Sequence, residues 1–76
     1  MNLVTVDSSM LDAVGYDEKT QELEAVFASG KVYRYEGVPK EVYEELLASD
    51  SKGSFMRNAI IDCYPDYPVR TKRGRY

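Results

Sequence analysis

The segment ELEAVFASGKVYRYE, residues 22–36, constrains the fold more than any other part of the chain. Two runs rich in β-branched and aromatic residues flank a Ser-Gly, the composition of an antiparallel hairpin. Loop length then decides which side chains share a face. A two-residue loop, Ser29-Gly30, sets Phe27 opposite Val32 and Val26 opposite Tyr33, and both faces come out mixed. A three-residue loop, Ala28-Ser29-Gly30, with Gly30 left-handed at a bulge, sets Ala25 opposite Tyr33 and Leu23 opposite Tyr35. Leu23, Ala25, Phe27, Tyr33 and Tyr35 then share one face, while Glu24 lies opposite Arg34 and Val26 opposite Val32 on the other. A one-residue slip turns a whole strand over, and only the second register sorts apolar from polar, so the second is predicted. It brings an opposite-charge pair across the strands, worth about 0.2–1 kcal/mol.

The flanking segments extend this hairpin into a sheet and then leave it. Residues 2–6, NLVTV, have strand character, Asp7-Ser8-Ser9 reads as a turn, and 10–17, MLDAVGYD, reads as a strand that Gly15 weakens or bulges. Residues 17–21 are a polar turn. Gly37-Val38-Pro39 stops the sheet, and Pro39 suits the first turn of a helix, where a missing N–H costs nothing. Val42, Tyr43, Leu46 and Leu47 then follow helical spacing, with Glu41, Glu44 and Glu45 on the wet side. Asp50 or Ser51 can cap a second helix, whose apolar positions are Phe55, Met56, Ala59, Ile60 and Cys63. Pro65 and Pro68 end it. Strands followed by helices predict an α+β fold: an antiparallel meander of three to four strands, then two helices packed on one face. Those helices cover the face bearing Tyr33 and Tyr35. The sheet register therefore favours buried rings over an exposed base-stacking platform.

Seventy-six residues make one small domain with a thin core. The seven tyrosines suit such a core, since the ring is buried while the hydroxyl reaches the surface. There is no histidine, which removes imidazole acid–base chemistry, Ser–His and Cys–His nucleophile pairs and the usual zinc sites. Cys63 is the only cysteine, so no intramolecular disulfide forms, in keeping with a reducing cytoplasm, and it is expected to face the core. Neither a signal peptide nor a membrane-spanning run of about 20 apolar residues is visible. The net charge of −3 conceals an asymmetry. Residues 1–65 hold six basic against twelve acidic side chains, whereas 66–76 hold Arg70, Lys72, Arg73 and Arg75 against Asp66. The chain thus divides into a domain, 1–65, and a basic tail, 66–76, that points to an anionic partner unless it is only a solvated terminus.

The order Ser9, Val14-Gly15-Tyr16-Asp17, Leu23, Phe27, Gly30, Tyr33-x-Tyr35, Val38-Pro39, Val42-Tyr43, Leu46, Ser51-x-Gly53, Phe55, Ile60, Tyr64-Pro65 resembles the KTSC domain. That family is named for its place at the C-terminus of some lysyl-tRNA synthetases, and it also occurs as small stand-alone bacterial and phage proteins. The likeness runs over about residues 8–65, and Tyr33-Arg34-Tyr35 matches its central Tyr-x-Tyr signature. The resemblance implies RNA association only by analogy with the synthetase setting. The chain departs from the family after the Ser-x-Gly turn. It reads Phe55-Met56-Arg57 and Ile60-Ile61 where members often carry Tyr-Phe-Asn and Ile-Arg.

Two constellations carry possible chemistry. Ser51-Lys52-Gly53 joins a flexible turn to a helix start and a cation, a combination that suits an anion, although an ordinary helix cap needs the same residues. Arg57 adds a second cation. The tail cations Arg70, Lys72, Arg73 and Arg75, set among Tyr67 and Tyr76, suit phosphates and stacked bases. No paired carboxylates, nucleophile–base spacing or metal-ligand cluster stands out, so the chain is expected to be a binding module without catalytic residues, metal or cofactor. RNA or another anionic ligand is the leading partner. A nucleotide-sequestering protein and a protein-interaction module, including a homodimer through a sheet edge, are the alternatives.

Overall fold

The computed structural model describes residues 3–69, and the hairpin at its centre forms in the segregated register. β3 (Glu22–Phe27) pairs with β4 (Val32–Tyr35) through Leu23 opposite Tyr35, Glu24 opposite Arg34, Ala25 opposite Tyr33 and Val26 opposite Val32. The Phe27 N–H donates to the Lys31 carbonyl, the Gly30 N–H donates to the Phe27 carbonyl, and Gly30 has φ 98°. These are the marks of a three-residue loop with a left-handed glycine at the bulge. Arg34 Nε donates to Glu24 Oε1 at 2.8 Å across the pair.

β1 (Leu3–Thr5) and β2 (Leu11–Asp17) precede the hairpin, and the antiparallel sheet runs β1-β2-β3-β4-β5 in chain order. The irregularity in β2 falls between Leu11 and Ala13, not at Gly15, which pairs regularly with Glu24. α1 (Lys40–Ala48) starts behind Pro39, as proline geometry favours. α2 (Lys52–Phe55) starts behind Ser51 without a side-chain cap and runs straight into a π turn over Met56–Ile60. There the Ile61 N–H reaches back to the Met56 carbonyl. The chain is α+β: a five-stranded antiparallel sheet with two helices packed on one face, one strand more than the sequence suggests.

The extra strand is β5 (Asp66–Pro68), which pairs antiparallel with β4 from inside the segment read as a tail. The ordered sheet therefore continues past residue 65. Between sheet and helices lies a core of Leu11, Val14, Leu23, Ala25, Tyr35, Val38, Leu46, Met56 and Ile60, each at most 2 % exposed. Tyr16 stacks on Tyr43 of α1 at 5.1 Å between ring centroids, tying β2 to the first helix. Cys63 corrects the expectation of a core-facing thiol, because it is exposed. Helical periodicity assumed an unbroken α-helix to residue 63. The π turn ends the helix at Ile60, and Asp62, with φ 67°, turns the chain before Cys63 is reached.

Candidate functional site

Alternation along β4 gives the three residues of the Tyr-x-Tyr motif three different surroundings. Tyr35 is buried in the core, 2 % exposed, and burial, reinforced by the Asp66 carboxylate, pushes its hydroxyl up to about 12. Arg34 lies on the opposite, uncovered face between Glu24 and Glu22, at 2.8 and 3.7 Å. The Tyr67 hydroxyl of β5 donates to Glu22 Oε2 at 3.0 Å and completes this cluster. The hydrogen bond to Glu24, with Tyr67 second, holds the Arg34 guanidinium above its ordinary value. Two carboxylates already occupy Arg34, so it is not a free phosphate ligand.

Tyr33 has the third fate. It is half-buried on the helix side and meets Phe27 edge-to-face at 6.1 Å between centroids. Both rings, with Lys31 and the 28–29 loop, line a shallow cleft of about 470 Å³ that ends on Ser9 and Met10. Among its lining residues no carboxylate stands against Lys31.

A second cleft of about 370 Å³ begins on the same Ser9 and Met10 and runs to Ser51, Lys52, Gly53 and Arg57. Its two walls are short turns, each pinned by a serine. Ser8 Oγ accepts from the Met10 and Leu11 N–H groups at 3.1 and 3.3 Å. Ser49 Oγ accepts from the Ser51 N–H at 3.1 Å. The walls touch at Gly53, where a Cβ would come within 3.3 Å of Met10 Cβ and Sδ. Gly53 thus serves close approach between the start of α2 and the turn at Met10. A left-handed backbone is not its role, since the positive-φ glycines are Gly30 and Gly37.

The sequence candidates Lys52, Gly53 and Arg57 therefore share one cleft. Their charge is less free than the sequence suggests. Lys52 Nζ donates to the Ser49 carbonyl at 2.9 Å, and Asp7 and Asp50 line the same walls, matching the two cations in number. Lys31, Ser9, Met10 and Phe27 are not among the site candidates that the sequence offers. The available signal was that Lys31 faces Phe27 at the hairpin bulge and stands two residues before Tyr33, on the same face. Arg70, Lys72, Arg73 and Arg75 lie outside the described residues. The residue before them does not: the Val69 N–H donates to the carbonyl of Val32, the neighbour of Lys31, at 2.8 Å.

Among the described residues, no three His, Cys, Asp or Glu side chains are grouped to hold a metal ion, and no helix is long and apolar enough to cross a membrane.

Comparison with known proteins places this geometry in a family. The sequence profile of the KTSC domain matches residues 7–64. A protein of Stutzerimonas stutzeri described only as uncharacterized is 51 % identical over 53 residues, 70 % of this chain and 75 % of that protein. A lysine–tRNA ligase of Nostoc punctiforme is 38 % identical over 58 residues, 76 % of this chain but only 10 % of the ligase. The crystal structure of a KTSC domain protein from Yersinia pestis superposes with a TM-score of 0.89 at 28 % identity, covering 91 % of this chain and 97 % of that one. With the family profile spanning β2 to the end of the helical layer, the chain belongs to the KTSC domain family.

Proposed function

We propose that the chain is a non-enzymatic binding module of the cytoplasm whose paired clefts hold a short single-stranded stretch of RNA. The observation that carries this reading is the cleft of Lys31, Phe27 and Tyr33, where a cation without an opposing carboxylate stands beside two half-buried rings. Ring faces take bases and ammonium groups take phosphates, and neither needs a defined sequence. The second cleft continues the path across Met10 to Lys52 and Arg57. The basic residues Arg70, Lys72, Arg73 and Arg75 follow Val69 in sequence, and Val69 is bonded to Val32, the neighbour of Lys31. Occurrence of the same domain within a lysine–tRNA ligase supports an RNA partner.

The test is fluorescence anisotropy with a labelled single-stranded RNA and with tRNA over a salt series. Lys31→Glu is expected to weaken binding about tenfold or more and to flatten the salt dependence. Removal of 70–76, which leaves β5 intact, is expected to weaken it further. Absence of binding at low salt, or binding indifferent to both changes, rejects the reading. A free nucleotide in the cleft of about 370 Å³ is the second reading, favoured by a volume within the range of small-ligand sites. Mass spectrometry of nucleotides retained after incubation with a cell extract distinguishes it.

A further inference from the structure

The two edges of the sheet are built differently. At β5 the Val69 N–H and the Pro65 carbonyl bond to β4, so alternation turns Asp66 and Pro68 outward. A carboxylate and a residue without an N–H protect that edge, as natural sheets often do. At β1 the Val6 N–H donates to the Asp12 carbonyl, so the same alternation turns the backbone groups of Leu3 and Thr5 outward. β1 has no charge, no proline and no bulge. Leu3 and Val4, 47 % and 45 % exposed, are the large hydrophobic side chains left exposed among the described residues, and both lie on this one strand.

We propose that β1 pairs antiparallel with β1 of a second copy of this chain, joining two sheets into one of ten strands. The occupant follows from the edge itself. With a two-fold axis at Val4, Leu3 of each copy stands opposite Thr5 of the other. These are the residues with outward N–H and C=O groups, so each such pair exchanges both of its hydrogen bonds and four form in all. Val4 meets the second copy's Val4 as the closely spaced pair, on the face that also carries Val14. No charge is brought across the axis, and the β5 edge cannot supply the same ladder because Pro68 lacks a donor. Three residues on each side make a small contact, so the dimer forms at high concentration.

Sedimentation equilibrium over a rising concentration series is expected to show the mass climbing from one chain towards two. Thr5→Pro removes an outward N–H that β2 does not use, and it is expected to weaken association at least tenfold while circular dichroism stays unchanged. Cross-linking reads the register separately in a Cys63→Ser background, which removes the native exposed thiol. Val4→Cys sets two thiols on Cα atoms about 4.5 Å apart, inside the disulfide range of about 4.4–6.8 Å, and is expected to give a covalent dimer as the main product. Leu3→Cys, placed opposite Thr5, is expected to give little. A mass that stays monomeric at every concentration, association indifferent to Thr5→Pro, or equal cross-linking at both positions overturns the proposal.

Discussion

The two faces of the sheet are held by different forces. The helix face packs Leu11, Val14, Leu23, Ala25 and Tyr35 against Val38, Leu46, Met56 and Ile60, and none of them carries a charge. The uncovered face centres on Arg34, Glu22, Glu24 and Tyr67, four polar side chains drawn from three strands. One strand, β4, feeds both, because successive residues point to opposite sides. Apolar burial responds weakly to salt, whereas an ion cluster whose side chains are 14–34 % exposed is partly screened by it. Stability of the two faces is therefore separable by solution conditions as well as by mutation.

The largest break comes from the helix face. Leu46→Ala, at a position with no exposure in α1, is expected to cost about 2–5 kcal/mol, seen as a drop in denaturant midpoint relative to the unsubstituted chain that is the same in low and high salt. For a domain this thin such a loss approaches the whole of its stability.

The next effect is alkaline. The Tyr35 hydroxyl titrates in the folded chain at about 12, above its ordinary value of 10.0, chiefly because it is buried. The folded state holds that proton where the unfolded state has released it. The contribution is therefore complete below pH 10.0 and is lost as pH rises towards about 12. Tyr35→Phe is expected to flatten that part of the stability profile. The corresponding phenol that ionises at high pH should disappear from a spectrophotometric titration.

The uncovered face gives the smallest change. Arg34→Met leaves Glu22 and Glu24 facing each other without their cation, and it is expected to cost about 1 kcal/mol or less after solvent screening. The loss should shrink as salt rises, which the Leu46→Ala loss should not. If both losses respond to salt alike, the distinction between the faces fails.

What could be read from sequence followed the reach of each signal. The hairpin register and the Glu24–Arg34 pair were legible because period-two alternation and a Ser-Gly loop sit within fifteen residues. The helix pair was legible for the same local reason, up to the π turn at Met56, where the hydrogen bond reaches one residue further and the three- and four-residue spacing no longer applies. β5 was not legible. Asp66-Tyr67-Pro68 lies between prolines and beside a basic run, and it becomes a strand only because the β4 edge and Glu22 receive it. The clefts were half-legible. Lys52, Gly53 and Arg57 are neighbours in the chain, but Met10 reaches them, and Lys31 reaches Met10, through folding alone.

β5 has a further consequence for how copies of this chain count themselves. A molecule with one free pairing edge can join one partner, and growth then ends. A chain cut after residue 65 would open β4 as well, leaving two pairing edges on every molecule, and β1–β1 and β4–β4 contacts in alternation have no reason to stop. On the proposed β1 pairing, three residues with a proline at the margin separate a finite pair from a filament.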